Sequence, residues 1–199
     1  LEAKDEFDAV RPEDMWVYNK LQLSSMLGYK CGPLGVPVPE SNYYIVRPSI
    51  TFLGMGQNAA RRWILVGTNT ENYGSPGDFW CELFEGDHLS VDFFKKEPIL
   101  SVLGEKNRKD PYHRWDRWLK VEDIVKFPTI LDSVAEKYDW INCEFINGHL
   151  IEAHFRRNPD FRWGNSEAIP VYRDNFNDCP AGYTYIEDPD FHRIGFYIK

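Results

Sequence analysis

The sequence predicts an α+β domain. Three observations carry that expectation: several strand-like apolar runs are joined by short turns, about three helical stretches intervene, and no βαβ alternation links the two kinds of segment. The 199 residues suffice for a sizeable folded unit with a buried core, and 43% hydrophobic, 16% aromatic and 27% charged residues is a globular composition. No internal repeat, Gly/Ser linker or Pro-rich tract divides the chain.

The first helix is expected from about Trp16 to Leu27, where Trp16, Leu23, Met26 and Leu27 recur at helical spacing. Glu13 and Asp14 suit its positive N-terminal end, and Gly28 can stop it. A loop over 32–37 leads to a short strand, Tyr43 to Pro48, then a turn with Gly54 and Gly56, then a strand from Trp63 to Gly67. Residues 68–78 are turn-formers. Phe79 to Phe84 and His88 to Phe94 read as two strands of a hairpin around Glu85-Gly86-Asp87. The stretch 95–111 is mixed and basic, and Val121 to Tyr138 reads as two helices broken at Pro128. Trp140 to Ile146 and Leu150 to Phe155 form a hairpin around Asn147-Gly148, the strongest short turn signal in the chain. The tail from Asn158 is expected to wrap the surface irregularly and end in a strand, Ile194 to Ile198.

Charge narrows the function. Lys+Arg 23 against Asp+Glu 31 gives a net charge of −8, which disfavours non-specific binding to nucleic acid or an anionic membrane. No apolar run approaches the roughly 20 residues of a bilayer-spanning helix. Cys31, Cys81, Cys143 and Cys179 form no CxxC pair, so zinc has no spacing support. Two disulfides remain open, but Cys81 and Cys143 sit in strand-like apolar runs, and reduced thiols in a cytoplasmic protein are the expectation.

Three segments have chemical content. Arg47 precedes the two-glycine loop, a plausible phosphate cradle or simply an exposed Arg before a turn. Residues 81–92 place several carboxylates near a turn, as a ligand site or as charges guarding an edge. In the third, Glu152, His154 and Arg156 alternate along one strand and share a face. A two-residue turn at Asn147-Gly148 pairs Ile146 with His149, which puts Glu144 opposite Ile151 and not opposite Glu152. For the two carboxylates to share a hard cation, a wider loop or a bulge must intervene; otherwise this is a charged surface face.

In this order the segments resemble the ATP-grasp superfamily over about residues 16–160. Val17-Tyr18-Asn19-Lys20-Leu21 and then Leu34-Gly35-Val36-Pro37-Val38-Pro39 look like the family's early Lys and its G-(I/V)-P-x-P entry. Tyr44-Ile45-Val46-Arg47-Pro48-Ser49 is similar to its v-v-K-P-s strand, with Gly54-Met55-Gly56 as the glycine loop. Residues 80–92 resemble its adenine segment, and Glu144 with Ile151 to Arg156 resembles its terminal metal-binding strand pair. The resemblance implies an ATP-grasp-like α+β fold of two small subdomains with antiparallel sheets clamping a nucleotide. One would span about 40–95 and the other about 96–199 together with 16–30.

It also implies roles. Lys20 and Arg47 would contact ATP phosphates, with Gly54 and Gly56 above them. Glu82, Leu83 and Phe84 would meet the adenine through their backbone, and Asp87 or His88 would take the ribose hydroxyls. Glu144 and Glu152 would hold Mg²⁺. His154 stands where the family pattern has Asn, so Asn158 is a candidate for the missing amide oxygen, or the site takes Mn²⁺. Arg47 and Arg156 would stabilise the transferring phosphoryl group. The implied activity is an ADP-forming carbon–nitrogen ligase that activates a carboxylate as an acyl phosphate for attack by an amine. The alternative is a nucleotide-binding or partner-binding module with weakened chemistry, for which His88 and His154 speak. Little sequence precedes Lys20. The substrate, a small carboxylate or peptide, would then be received by residues 157–199, by a second chain, or by a basic insert. That insert carries Lys95, Lys96, Lys106, Arg108, Lys109, Arg114, Arg117 and Lys120 with Tyr112, Trp115 and Trp118, which could equally be solvated or core.

Overall fold

The structure, a computed structural model, describes residues 7–50, 58–106, 112, 114–122, 125–190 and 192–199. Gly54 and Gly56 lie outside the described residues. A four-stranded antiparallel sheet is built in the order β1-β4-β2-β3 from β1 (Cys31–Pro33), β2 (Asn42–Pro48), β3 (Ala60–Ile64) and β4 (Asp78–Glu82). An eight-stranded sheet follows. It contains β5 (His88–Phe94), β6 (Glu97–Glu105), β7 (Arg117–Val121), β8 (Trp140–Ile146), β9 (His149–His154), β10 (Glu167–Tyr172), β11 (Thr184–Asp190) and β12 (Arg193–Ile198). Their order across the sheet is β11-β12-β10-β7-β6-β5-β8-β9. Among the described residues the main helices are α1 (Lys20–Met26) and α2 (Asp132–Ala135), with 3-10 turns at Pro12–Tyr18, Thr70–Tyr73, Thr129–Leu131 and Pro159–Phe161. Among the described residues no helix is long and apolar enough to cross a membrane.

Period-2 alternation decides which face each sheet buries. On the large sheet Val91, Phe93, Ile141, Cys143, Phe145, Leu150 and Ala153 turn to one side and pack with Val17, Tyr18 and Leu23 before and in α1 and with Leu131 and Val134 around α2. The opposite side carries His88, Ser90, Asp92, Asn142, Glu144, Glu152 and His154. On the small sheet Tyr44, Val46, Ile64 and Trp80 bury one side with Val38. Ile45 and Arg47 alternate with them and turn to the other. The two free faces look at each other.

Several elements differ from expectation. The long first helix is a 3-10 turn followed by α1, because Asn19 is extended (φ −84°, ψ 96°) and its side chain accepts from the Gln22 N–H as an N-cap. Strands β4 and β5 are not a hairpin. Residues 83–87 instead carry the chain from the small sheet to the large one, where β5 pairs with β6 and β8. Strand β5 thus sits in the large sheet, although residues 88–94 were expected in the first subdomain. The basic stretch begins with a tight turn at Lys95 and Lys96, both at positive φ (50° and 72°), and continues as β6. Among the described residues, the region expected to hold two helices contains the end of β7 and then only the short helical turns after Pro128. The tail is regular: β10, β11 and β12 extend the large sheet.

Candidate active site

Between the two sheets lies a cleft of about 910 Å³. Its walls include Arg47 from β2, Lys20 from α1, the crossing residues 83–87, and Glu144, Glu152 and Arg156 from the large-sheet side.

Strands β8 and β9 set the key geometry. Ile146 pairs with His149 and Phe145 with Leu150, as the two-residue turn demands, but the register then shifts and Glu144 stands directly opposite Glu152. One extra residue, Ile151, is absorbed in β9 as a bulge. The carbonyl of Ile151 accepts a hydrogen bond from the Arg47 guanidinium at 3.1 Å, so the irregularity also ties the two sheets together across the cleft.

The carboxylates are held ionised. Glu152 Oε1 lies 2.9 Å from Lys20 Nζ and 3.2 Å from His154 Nε2. Burial pushes its pKa up, but Lys20, His154 and Arg47 together outweigh that and hold it well below the usual carboxylate range. Glu144 is likewise lowered: burial and Glu152 oppose ionisation, while the His88 hydrogen bond at 3.1 Å and the His charges favour it. Behind them Asn142 donates to Ser90 Oγ and to Asp92 Oδ1, both at 2.9 Å. Asp92 accepts from the Asn158 N–H at 2.7 Å, and Asn158 Nδ2 donates to Ser90 Oγ at 3.2 Å. This net fixes the polar row as a rigid floor.

Of the residues singled out in the sequence, Lys20, Arg47, Glu82, Leu83, Phe84, Asp87, His88, Glu144, Glu152, His154, Arg156 and Asn158 all line this one cleft. Their detailed engagement is uneven. The Glu82 N–H is spent on the Lys30 carbonyl at 2.8 Å, and the Phe84 ring stacks on His149 at 4.1 Å. Asn158 Oδ1 accepts from the Asp160 N–H at 2.8 Å, so it serves as a cap in this structure. Trp115 and Trp118 of the basic insert stand edge-on to the His88 ring, at 4.7 and 5.6 Å, and line the cleft beside Gly104.

Sequence reasoning missed other wall residues. Ile45 and Ile151 supply apolar surface, and Arg193, with Asp160, closes the far end through a 3.3 Å ion pair. Ile45 was legible as a strand neighbour of Arg47; Arg193 lay in the tail expected to be irregular and carried no signal.

Solved structures share this architecture. An ATP-grasp superfamily protein from Archaeoglobus fulgidus matches over 92% of this chain and 64% of its own, with a TM-score of 0.51 at 14% identity. The fold is that of the ATP-grasp superfamily. An L-amino acid ligase from Bacillus licheniformis matches over 92% of this chain and 66% of its own (TM-score 0.56, 11% identity). An N5-carboxyaminoimidazole synthetase from Staphylococcus aureus, crystallised with ADP, matches over 92% and 67% (TM-score 0.56, 12% identity). The chain therefore spans about two thirds of the length of these ATP-grasp-like structures. No protein-family model and no curated protein sequence matches it.

The donor set suits a hard divalent cation in part. Among the described residues no group of three or more His, Cys, Asp or Glu is placed to hold a metal ion by itself. Two opposed carboxylates are what Mg²⁺ takes from a protein when phosphate oxygens and water complete its shell. Arg47, which lines the same cleft, has its Nε buried with no hydrogen-bond partner among the described residues.

Proposed function

We propose that this chain binds ATP with Mg²⁺ between its two sheets and acts as a ligase. It would activate a carboxylate as an acyl phosphate, which an amine then attacks with release of phosphate. The single observation that carries this reading is the bulge that sets Glu144 opposite Glu152 while tying Ile151 to Arg47 across the cleft.

Each residue has a task that follows from its placement. Glu144 and Glu152 would hold Mg²⁺, with His154 orienting Glu152. When bound there, the metal would supply positive charge to offset that of the phosphates. Arg47 and Lys20 would lie against phosphate oxygens, Lys20 exchanging part of its contact with Glu152 for them. Arg156, lining the same wall, would meet the negative charge that develops as the phosphoryl group passes to the carboxylate. The backbone at Leu83 and Phe84 would face the adenine, with Ile45 and Ile151 on either side, and Asp87 and His88 would lie towards the ribose. Gly54 and Gly56 would cover the phosphates. A small carboxylate or peptide would enter from the end walled by Arg156 and Arg193, or be presented by a second chain.

The engagement of Glu152 Oε1 by both Lys20 and His154 favours a second reading, a nucleotide-binding module with weakened chemistry. One experiment separates them: ATP titration with and without Mg²⁺, followed by phosphate release over panels of carboxylates and amines. The ligase reading expects Mg²⁺-dependent binding and release that needs both co-substrates, lost in Glu152→Gln. Binding without release across the panels supports the module. No binding at all overturns both.

A further inference from the structure

We propose that Cys31 and Cys81 form a reversible cross-strand disulfide, a modification site for small-molecule disulfides at the wall of the cleft. All four cysteines are free thiols in the structure, and these two are register partners on β1 and β4. The flanking bonds, Glu82 N–H to the Lys30 carbonyl at 2.8 Å and Leu34 N–H to the Asp78 carbonyl at 3.3 Å, fix which kind of pair they are. Counting inwards from either end, Cys31 and Cys81 occupy a non-hydrogen-bonded position. There, opposed side chains share a face and Cα atoms stand about 4.5 Å apart. A disulfide spans Cα separations of about 4.4 to 6.8 Å, so the pair can be bridged, at the short end of the range. A bond made there is strained and readily reduced, which makes it reversible.

The two thiols differ in access. Cys81 is buried and lines the cleft; Cys31 is half-buried and lines a separate shallow depression beside α1 with Asn19 and Ser25. The reaction therefore starts at Cys31. Its thiolate attacks a small disulfide RSSR, forming a mixed disulfide and releasing one thiolate. Cys81 then attacks the Cys31 sulfur and expels the second. The two protein protons end on two RSH molecules, and the protein is oxidised by two electrons while RSSR is reduced. Burial raises both thiol pKa values, that of Cys81 to about 11, so the exchange accelerates as the solution becomes alkaline. The crosslink would pin β1 to β4 one residue before the strand ends and the chain crosses to the large sheet.

The inference does not depend on the function proposed above. The test is to incubate the full chain with glutathione disulfide at mildly alkaline pH, digest it without reduction, and map the linked peptides by mass. The expected product joins the peptides holding Cys31 and Cys81, lacks two hydrogens, reverts with dithiothreitol, and disappears in Cys31→Ala or after prior alkylation of Cys31. The same treatment in urea should scatter linkages over all four cysteines. Stable glutathione adducts on Cys31, or chains joined through Cys179 while Cys31 and Cys81 stay unlinked, would overturn it.

Discussion

Lys20 and Glu152 show how much one side-chain contact decides. Lys20 is only 4% exposed, and the Glu152 side chain 15%, so neither charge has water to fall back on. Removing one partner from such a pair leaves a charge stranded, at a cost on the order of 3 kcal/mol. Lys20→Met should lower the unfolding free energy read from a urea titration by that amount, and Lys20→Met/Glu152→Gln should recover most of it. A single mutant as stable as the parent would mean the pair is solvated. The thiols make a second residue-level forecast. Burial pushes Cys81 up to about 11 and raises Cys143, whereas Cys179 is exposed. Iodoacetamide on the folded protein should therefore label Cys179 first and Cys31 next, and reach Cys81 and Cys143 only on unfolding, as read from the labelled peptides. The raised Cys81 value has a stability sign as well. The folded state keeps a proton that the unfolded chain gives up near pH 9, so its contribution is full below that pH and is lost as the solution rises through about pH 11.

At the scale of elements, the decisive object is the bulge at Ile151. From the Asn147-Gly148 turn alone one can deduce that Glu144 and Glu152 meet only if a residue is inserted, and the structure inserts it. Its position was not readable, because Ile is an ordinary strand residue and the bond that uses its carbonyl comes from Arg47, 104 positions away. The same limit explains the other differences. Glu85-Gly86-Asp87 has a hairpin's composition, yet β4 finds its partners in β1 and β2, and no local pattern encodes which edges are vacant. Lys95 and Lys96 carry no turn signal; their tight turn is pinned by Lys95 N–H to the Asp139 carbonyl and by the Lys96–Asp132 ion pair. Arg47→Met removes a charge-assisted bond worth about 1.5–3 kcal/mol across the sheets. A charge-assisted bond of similar size from Arg47 to a phosphate oxygen would make nucleotide affinity, measured by calorimetry, fall roughly 10- to 100-fold in the same variant, with Arg47→Lys intermediate. In the crossing, Gly86 sits at φ +136°, and a Cβ there would lie 2.8 Å from the Asn147 Cβ. Gly86→Ala should accordingly lower thermal stability by about 1–3 kcal/mol and weaken nucleotide binding, since the crossing must lift off the β8–β9 turn.

The molecule as a whole sets a net charge of −8 around a cleft whose walls carry Lys20, Arg47, Arg61 and Arg156. A polyanion such as nucleic acid meets the acidic exterior first, whereas a small phosphate ester that enters the cleft meets the cations at short range. Within the cleft, Arg47 and Lys20 come from the side of the small sheet and α1, and Glu144 and Glu152 stand opposite them on the large sheet. A bare triphosphate drawn to the first group is pressed against the second, and both carboxylates are held ionised well below neutral pH. A divalent cation held by these carboxylates would relieve that repulsion, and Glu152 would then hold Lys20 less tightly. Chelating Mg²⁺ with EDTA should then weaken ATP binding at least about tenfold, a loss near 1.4 kcal/mol. In Glu144→Gln/Glu152→Gln the dependence should largely vanish, because the repulsion and the bridge disappear together. Titration calorimetry of both proteins at fixed ionic strength reads this directly. Equal affinity with and without Mg²⁺ in the parent would mean that the opposed carboxylates hold the sheets in place and take no part in binding.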